Sequence, residues 1–239
     1  QDNAQNGDST GDGDRKLAAV ILAAGKGTRM KSDLPKVVHE VADRPMIAWV
    51  VDAVRKAGAD RIVLIIGHGA DEVRAIFQGD DADIEYAVQA EQYGTGHATQ
   101  CAAPLLRDFA GDVLVLAGDG PLIRAETIDA MWRRHRETGA RATLATSVID
   151  DPTGYGRIVR DGDGRFVAIV EHKNCTPEQR GIREIYPSYA CFDAAALFDV
   201  LARLAPNDLT GEYYVTDVPQ MIRDAGGRVE VIDAVPPED

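Results

Sequence analysis

Three stretches of this chain are apolar with almost no interruption: KLAAVILA from Lys16, RIVLIIG from Arg61 and DVLVLAGD from Asp112. A strand with one wet face alternates polar and apolar residues, so a run without a polar face has to be covered on both sides. Segments with helical character lie between these runs at 46–56, 71–77 and 96–106, and another follows the last at 125–138. Buried strands joined by helical crossovers predict an α/β domain, a mostly parallel sheet with helices on both faces. Ligands in such sheets gather beyond the carboxyl ends of the strands. Gly25, Gly67 and Asp119 fall at those ends.

DIEYAVQ (83–89) adds a short strand. After Ala140 the character changes: ATLATSVID, YGRIVR, FVAIVEH and EIYPSYACF are β-rich and divided by turn signals such as DPTG and DGDG. They predict a mixed β extension over one side of the ligand crevice. Helices near 194–204 and 212–225 and a last strand, RVEVIDA, complete the order. The first fourteen residues, QDNAQNGDSTGDGD, hold no large apolar side chain. The domain reading is therefore a flexible acidic tail at 1–15 and one folded domain at 16–239.

The formal net charge is −13. An overall field of that sign repels nucleic acid and anionic membranes, so neither is an expected partner. Cys101, Cys175 and Cys191 are odd in number and widely spaced, which fits reduced thiols and a cytoplasmic location. No apolar run is long enough to span a bilayer.

Against that acidic background stands LAAGKGTRMKSDLPK (22–36), with Lys26, Arg29, Lys31 and Lys36 beside two glycines. The Walker A pattern requires its lysine after a later glycine. The dinucleotide fingerprint requires a third glycine where Met30 stands. Neither fits. What remains is a strand followed by a glycine loop with exposed N–H groups and several cations, a geometry suited to a triphosphate. A surface turn with solvated cations is the competing reading.

The other motifs favour the first. LAAGKGTRM with LPK, QAEQYGTGHA (89–98), GDGPLI (118–123), DDPTGYGRI (150–158), VEHK (170–173) and GEYYVTD (211–217) occur in one order. Together they resemble the sugar-nucleotide pyrophosphorylases, or sugar-1-phosphate nucleotidyltransferases. They look most like the uridylyltransferase domain of the bifunctional N-acetylglucosamine-1-phosphate enzymes, over nearly the whole chain from Lys16. That resemblance implies a Rossmann-like nucleotide-diphospho-sugar transferase fold. It also implies UMP transfer from UTP to N-acetylglucosamine-1-phosphate, giving UDP-N-acetylglucosamine and pyrophosphate. Leu22, Ala23, Ala24 and Gly25 would lie against the nucleoside. Gln89 and Gln92 would read the base edge, with Gly94 and Thr95 beside it. Arg29 and Lys36 would act on the phosphates, and Asp119 would hold Mg²⁺. Gly156, Glu171, Tyr186, Tyr214 and Thr216 would meet the sugar. For Glu171 an ion pair with His172 or Lys173 is the alternative. No protein nucleophile is needed, and His97 is expected to cap or pack near its helix start.

Three departures from the family qualify these expectations. Tyr186 stands where the family carries an asparagine that meets the sugar, so another sugar-1-phosphate, or another base, stays open. The family's second metal-binding asparagine falls past Asp239, leaving Asp119 as the metal ligand within this sequence. The β-helix acetyltransferase domain is not in this sequence, so a monomer or dimer is expected rather than the family trimer. A non-catalytic UDP-sugar-binding module is the reading from another class.

Overall fold

The computed structural model describes residues 15–27, 30, 32–106 and 108–238. Arg29 and Lys31, like the tail before Arg15, lie outside the described residues. The first half of the domain builds β1 (Lys16–Leu22), α1 (Met46–Lys56), β4 (Arg61–Ile66), α2 (Ala70–Ile76) and β5 (Ile84–Val88). A small hairpin, β2 (Glu40–Val41) and β3 (Arg44–Pro45), precedes α1. Then come α3 (Thr95–Gln100), α4 (Ala103–Leu106), β6 (Gly111–Ala117), α5 (Ala125–Thr138) and β7 (Ala142–Val148). The second half adds β8 (Gly156–Arg160), β9 (Phe166–Val170), α6 (Pro177–Arg180), β10 (Glu184–Asp193), α7 (Ala194–Leu201), α8 (Val218–Asp224) and β11 (Val229–Asp233).

Among the described residues nine strands form one sheet, in the order β11-β7-β10-β6-β1-β4-β5, with β8 and β9 branching from β10. β1 runs parallel to both β4 and β6, and β10 runs antiparallel to β6, β7 and β8. This is the mostly parallel sheet with a mixed extension that the sequence predicts. The apolar runs owe their continuity to two cores. Leu17, Ala19 and Ile21 of β1 pack into one with α1, α2 and α5; Ala18 and Val20 pack into the other with α3, α7 and α8.

Between β1 and β6 the strand order reverses, because β4 and β5 follow β1 on one side and β6 lies on the other. A crevice opens at such a switch point. Its two lips are tied by the Gly118 N–H, which donates to the Leu22 carbonyl at 3.0 Å.

Several boundaries differ from expectation for local reasons. Helix 96–106 is two helices, since Pro104 has no N–H to continue the ladder. Residues 212–214 are not helical: the Tyr213 backbone bonds to Tyr93 and Gly96 instead, and α8 starts with Pro219 in its first turn. Lys36 opens a 3-10 turn (Lys36–Val38) directly after Pro35. Arg15, placed in the tail by sequence, reaches Asp112 at 2.8 Å and Asp193 at 2.7 Å, and so fixes the start of β1.

Candidate active site

A cavity of about 700 Å³ fills the crevice. Leu22, Ala24 and Gly25 form one edge, from the end of β1. Asp119 stands two residues past β6, and Lys36 crosses the opening to form an ion pair with it. Gly27 makes that crossing possible. Its φ is +59°, and a Cβ there would fall 2.7 Å from the Lys36 Cβ. The loop and the lysine are therefore in contact, with the carboxylate of Asp119 facing them.

The loop between β5 and α3 supplies a second wall, with Gln89, Gln92, Gly94 and Thr95. Each glutamine also has a structural bond. Gln92 Nε2 donates to the Ala24 carbonyl at 2.6 Å, tying this wall to the glycine loop. Buried Gln89 donates through Nε2 to the Gly94 carbonyl at 3.0 Å, with His97 Nδ1 at 3.1 Å. His97 thus packs in its helix, edge-on to Tyr93, as expected. Gly94 has φ +104°, and a Cβ would meet the Tyr213 carbonyl oxygen at 2.5 Å. Only glycine suits both the angle and the approach.

The third wall carries Glu171, Tyr186 and Thr216. Thr216 Oγ1 donates to Glu171 Oε1 at 3.0 Å. Lys173 does not take that carboxylate; it pairs with Glu212 at 3.2 Å, and its ammonium lies over the Tyr214 ring. His172 faces Arg157, its Nδ1 3.1 Å from the guanidinium. Tyr186 is buried. That burial, and then the charge of Glu171, push its phenol above the usual tyrosine range. The same two causes, in the same order, raise the Asp217 carboxyl.

Of the residues proposed from sequence, Leu22, Ala24, Gly25, Lys36, Gln89, Gln92, Gly94, Thr95, Asp119, Glu171, Tyr186 and Thr216 share this one cavity. Ala23, Gly156 and Tyr214 stand behind it. Ala23 is buried and donates its N–H to the Ile65 carbonyl at 2.9 Å. Gly156 pairs with Tyr186 across β8 and β10. The Tyr214 hydroxyl is 2.7 Å from Thr210 Oγ1. Ser188 and Glu212 also line the cavity, and sequence reasoning missed them. Glu212 sits inside GEYYVTD. Pro187, an imino acid inside a strand, signals the irregularity that places Ser188.

Residues 19–212 match the family described as "MobA-like NTP transferase domain". The chain belongs to that family. Outside that family description, this NTP transferase domain is 51% identical over 212 residues to "Bifunctional protein GlmU" of Geobacter metallireducens, covering 89% of this chain and 44% of that protein. It is 51% identical over 210 residues to the protein of the same name from Pelotomaculum thermopropionicum, covering 88% and 45%. With that of Brevibacillus brevis it shares 47% over 224 residues, covering 94% and 48%. The NTP transferase domain thus spans less than half the length of these curated relatives. No helix among its described residues is long and apolar enough to cross a membrane.

Proposed function

We propose that this domain is a sugar-1-phosphate nucleotidyltransferase that joins UMP from UTP to N-acetylglucosamine-1-phosphate. One observation carries the reading. A glycine loop, a lysine–aspartate pair and a hydroxyl–carboxylate pair converge on a single cavity at the switch point of the sheet. The β1 edge and the Gln89–Thr95 wall suit a nucleoside, and the Glu171–Thr216 wall suits a polyol.

Asp119 fits a Mg²⁺ ion by its chemistry: a hard carboxylate, part exposed, opening on the phosphate region. The described residues hold no cluster of three or more His, Cys, Asp or Glu, so nucleotide phosphates and water must complete the shell, which is how Mg²⁺ is commonly held. Bound there, the ion would offset charge on the phosphate oxygens.

The chemistry left to the chain is placement and charge. The sugar phosphate oxygen attacks the α-phosphorus; the bond to the bridging oxygen breaks, and pyrophosphate leaves with that electron pair. Lys36 would bear on the crowded phosphoryl oxygens, and Arg29 would serve the leaving pyrophosphate. Glu171, already oriented by Thr216, would accept hydrogen bonds from sugar hydroxyls. An acceptor of this kind, half-buried in the free domain and covered once a sugar is seated on it, rejects a sugar that lacks the hydroxyl, because it is then left unpaired.

The test is pyrophosphate release from UTP and N-acetylglucosamine-1-phosphate with Mg²⁺. Release that needs both substrates supports the reading. No release across a panel of nucleotides and sugar-1-phosphates refutes it, and binding of UDP-N-acetylglucosamine without turnover would instead make the domain a UDP-sugar-binding module. Tyr186 favours one second reading. Its ring occupies the sugar wall, so another sugar-1-phosphate is the preferred acceptor if the panel ranks N-acetylglucosamine-1-phosphate low.

A further inference from the structure

Among the described residues three non-glycine residues have positive φ: Ala42, Asp43 and Ser188. The first two are the central pair of the β2–β3 hairpin turn, where paired positive angles match the twist of the strands. Ser188 has no such excuse. It lies inside β10 with φ +72°, and it lines the cavity. A serine side chain in that region crowds its own backbone, and such strain persists where the residue has a task.

The local geometry shows how the position arises. Ile185 of β10 faces Ser147 of β7 while Tyr189 faces Ala145, so the longer strand bulges between them. On its other side β10 pairs with β8 at Ile185 and Tyr186, then with β6 from Tyr189 onward. Pro187 and Ser188 occupy the change of partner. The bulge turns the residues beside Tyr186 toward the crevice. Glycine would satisfy the backbone there without strain. The chain carries a hydroxyl instead, and no hydrogen bond from it to another described residue is found.

We propose that Ser188 is a specificity-determining residue for the sugar-phosphate acceptor, its hydroxyl bonding a polar group of the sugar on the wall shared with Tyr186 and Glu171. The inference rests on the nucleotidyltransferase reading of the same cavity and adds a residue to its acceptor side.

Two variants separate the hydroxyl from the strain. Ser188→Ala keeps the strain and removes the hydroxyl; Ser188→Gly removes both. Each should raise the KM for the acceptor, measured with N-acetylglucosamine-1-phosphate and with glucose-1-phosphate, by about 3–10-fold, the loss of one hydrogen bond. The KM for UTP should not move. Ser188→Gly alone should also raise Tm by about 2–4 °C. A more stable protein that binds its acceptor less well is not what a structural role predicts. Acceptor KM within about twofold of wild type in both variants, or an equal change for UTP, overturns the proposal. Dissociation constants for UDP-N-acetylglucosamine and UTP, taken by calorimetry on the same proteins, decide it without turnover. Wild-type turnover with unaffected variants refutes this inference alone. A wild type that binds UTP but neither acceptor nor UDP-sugar refutes both readings.

Discussion

Gly120 and Tyr189 make a size-matched pair beside the candidate metal ligand, and the match can be measured. A Cβ built on Gly120 would fall 2.3 Å from the Tyr189 hydroxyl oxygen and 3.2 Å from Cζ. The ring cannot swing away, because Tyr189 is only 5% exposed and packed in the core. Gly120→Ala must therefore lift the turn that carries Asp119, or force the ring off its rotamer. Overpacking of this kind costs about 1–3 kcal/mol. The φ at Gly120 is not positive, so alanine recovers about 0.4–1 kcal/mol through the unfolded chain. The net expectation is a loss of about 1–2 kcal/mol. Tyr189→Phe deletes the atom at 2.3 Å and leaves 3.2 Å as the closest approach, tight but tolerable. Alone it removes one hydroxyl from a buried ring, a change on the order of 1 kcal/mol. If the clash is the cause, the double variant is more stable than the sum of the singles implies, by about 1–2 kcal/mol. Urea denaturation of the four proteins measures that coupling. The Mg²⁺ concentration giving half-maximal pyrophosphate release, followed in parallel, should rise several-fold in Gly120→Ala and fall back in the double variant. Additive stabilities within about 0.3 kcal/mol, with an unmoved Mg²⁺ requirement, refute the reasoning.

Lys36→Ala and Asp119→Asn should each lower turnover by about 100-fold or more, on the scale of losing a transition-state contact, while Tm moves by less than about 2 °C. The small shift follows because their ion pair is about one-third exposed and so contributes little to stability. Comparable losses in both properties would make the pair structural. Tyr186→Asn should raise activity on N-acetylglucosamine-1-phosphate, and an equal or lower rate counts against the role given to that ring. The Arg44 and Arg55 guanidiniums hold the Asp52 and Asp83 carboxyls below the usual range. Their stabilisation is complete above about pH 4 and is lost as pH falls through the lowered folded values. Melts should be flat from pH 7 to 5 and drop below about pH 4, and Asp83→Asn should flatten that acid limb. An Asp83→Asn curve parallel to wild type throughout would show that the pair is not what titrates.

The fold was legible where burial alone decides it. The runs at Lys16, Arg61 and Asp112 are apolar because both faces are covered, and α1 and α5 follow the residues expected of them. Boundaries set by distant partners were not legible. Nothing in EYY says that the Tyr213 backbone will bond to Tyr93 and Gly96, so residues 212–214 read as helix and are not helical. The cavity shows the same division. Asp119 could be chosen as a carboxylate at a strand end, and Lys36 as one of the cations of the loop that follows β1. Ser188 could not, since its place depends on a bulge and a change of strand partner marked only by Pro187. Ala23, Gly156 and Tyr214 were assigned by resemblance, and they stand one layer behind the wall.

The seam between residues 93–96 and 213–215 has a consequence for the order of assembly. Tyr213 donates to Tyr93, Gly96 donates to Tyr213, and Val215 donates to the Thr95 hydroxyl. A ribosome releases the 93–96 side first. Its closing partner emerges more than a hundred residues later, so the Gln89–Thr95 wall stays open on the nascent chain until nearly the whole domain is made. On the proposed reading of the cavity, a bound nucleotide would therefore not guide early folding. It would act as a late clasp, gripped only by a chain completed past residue 215.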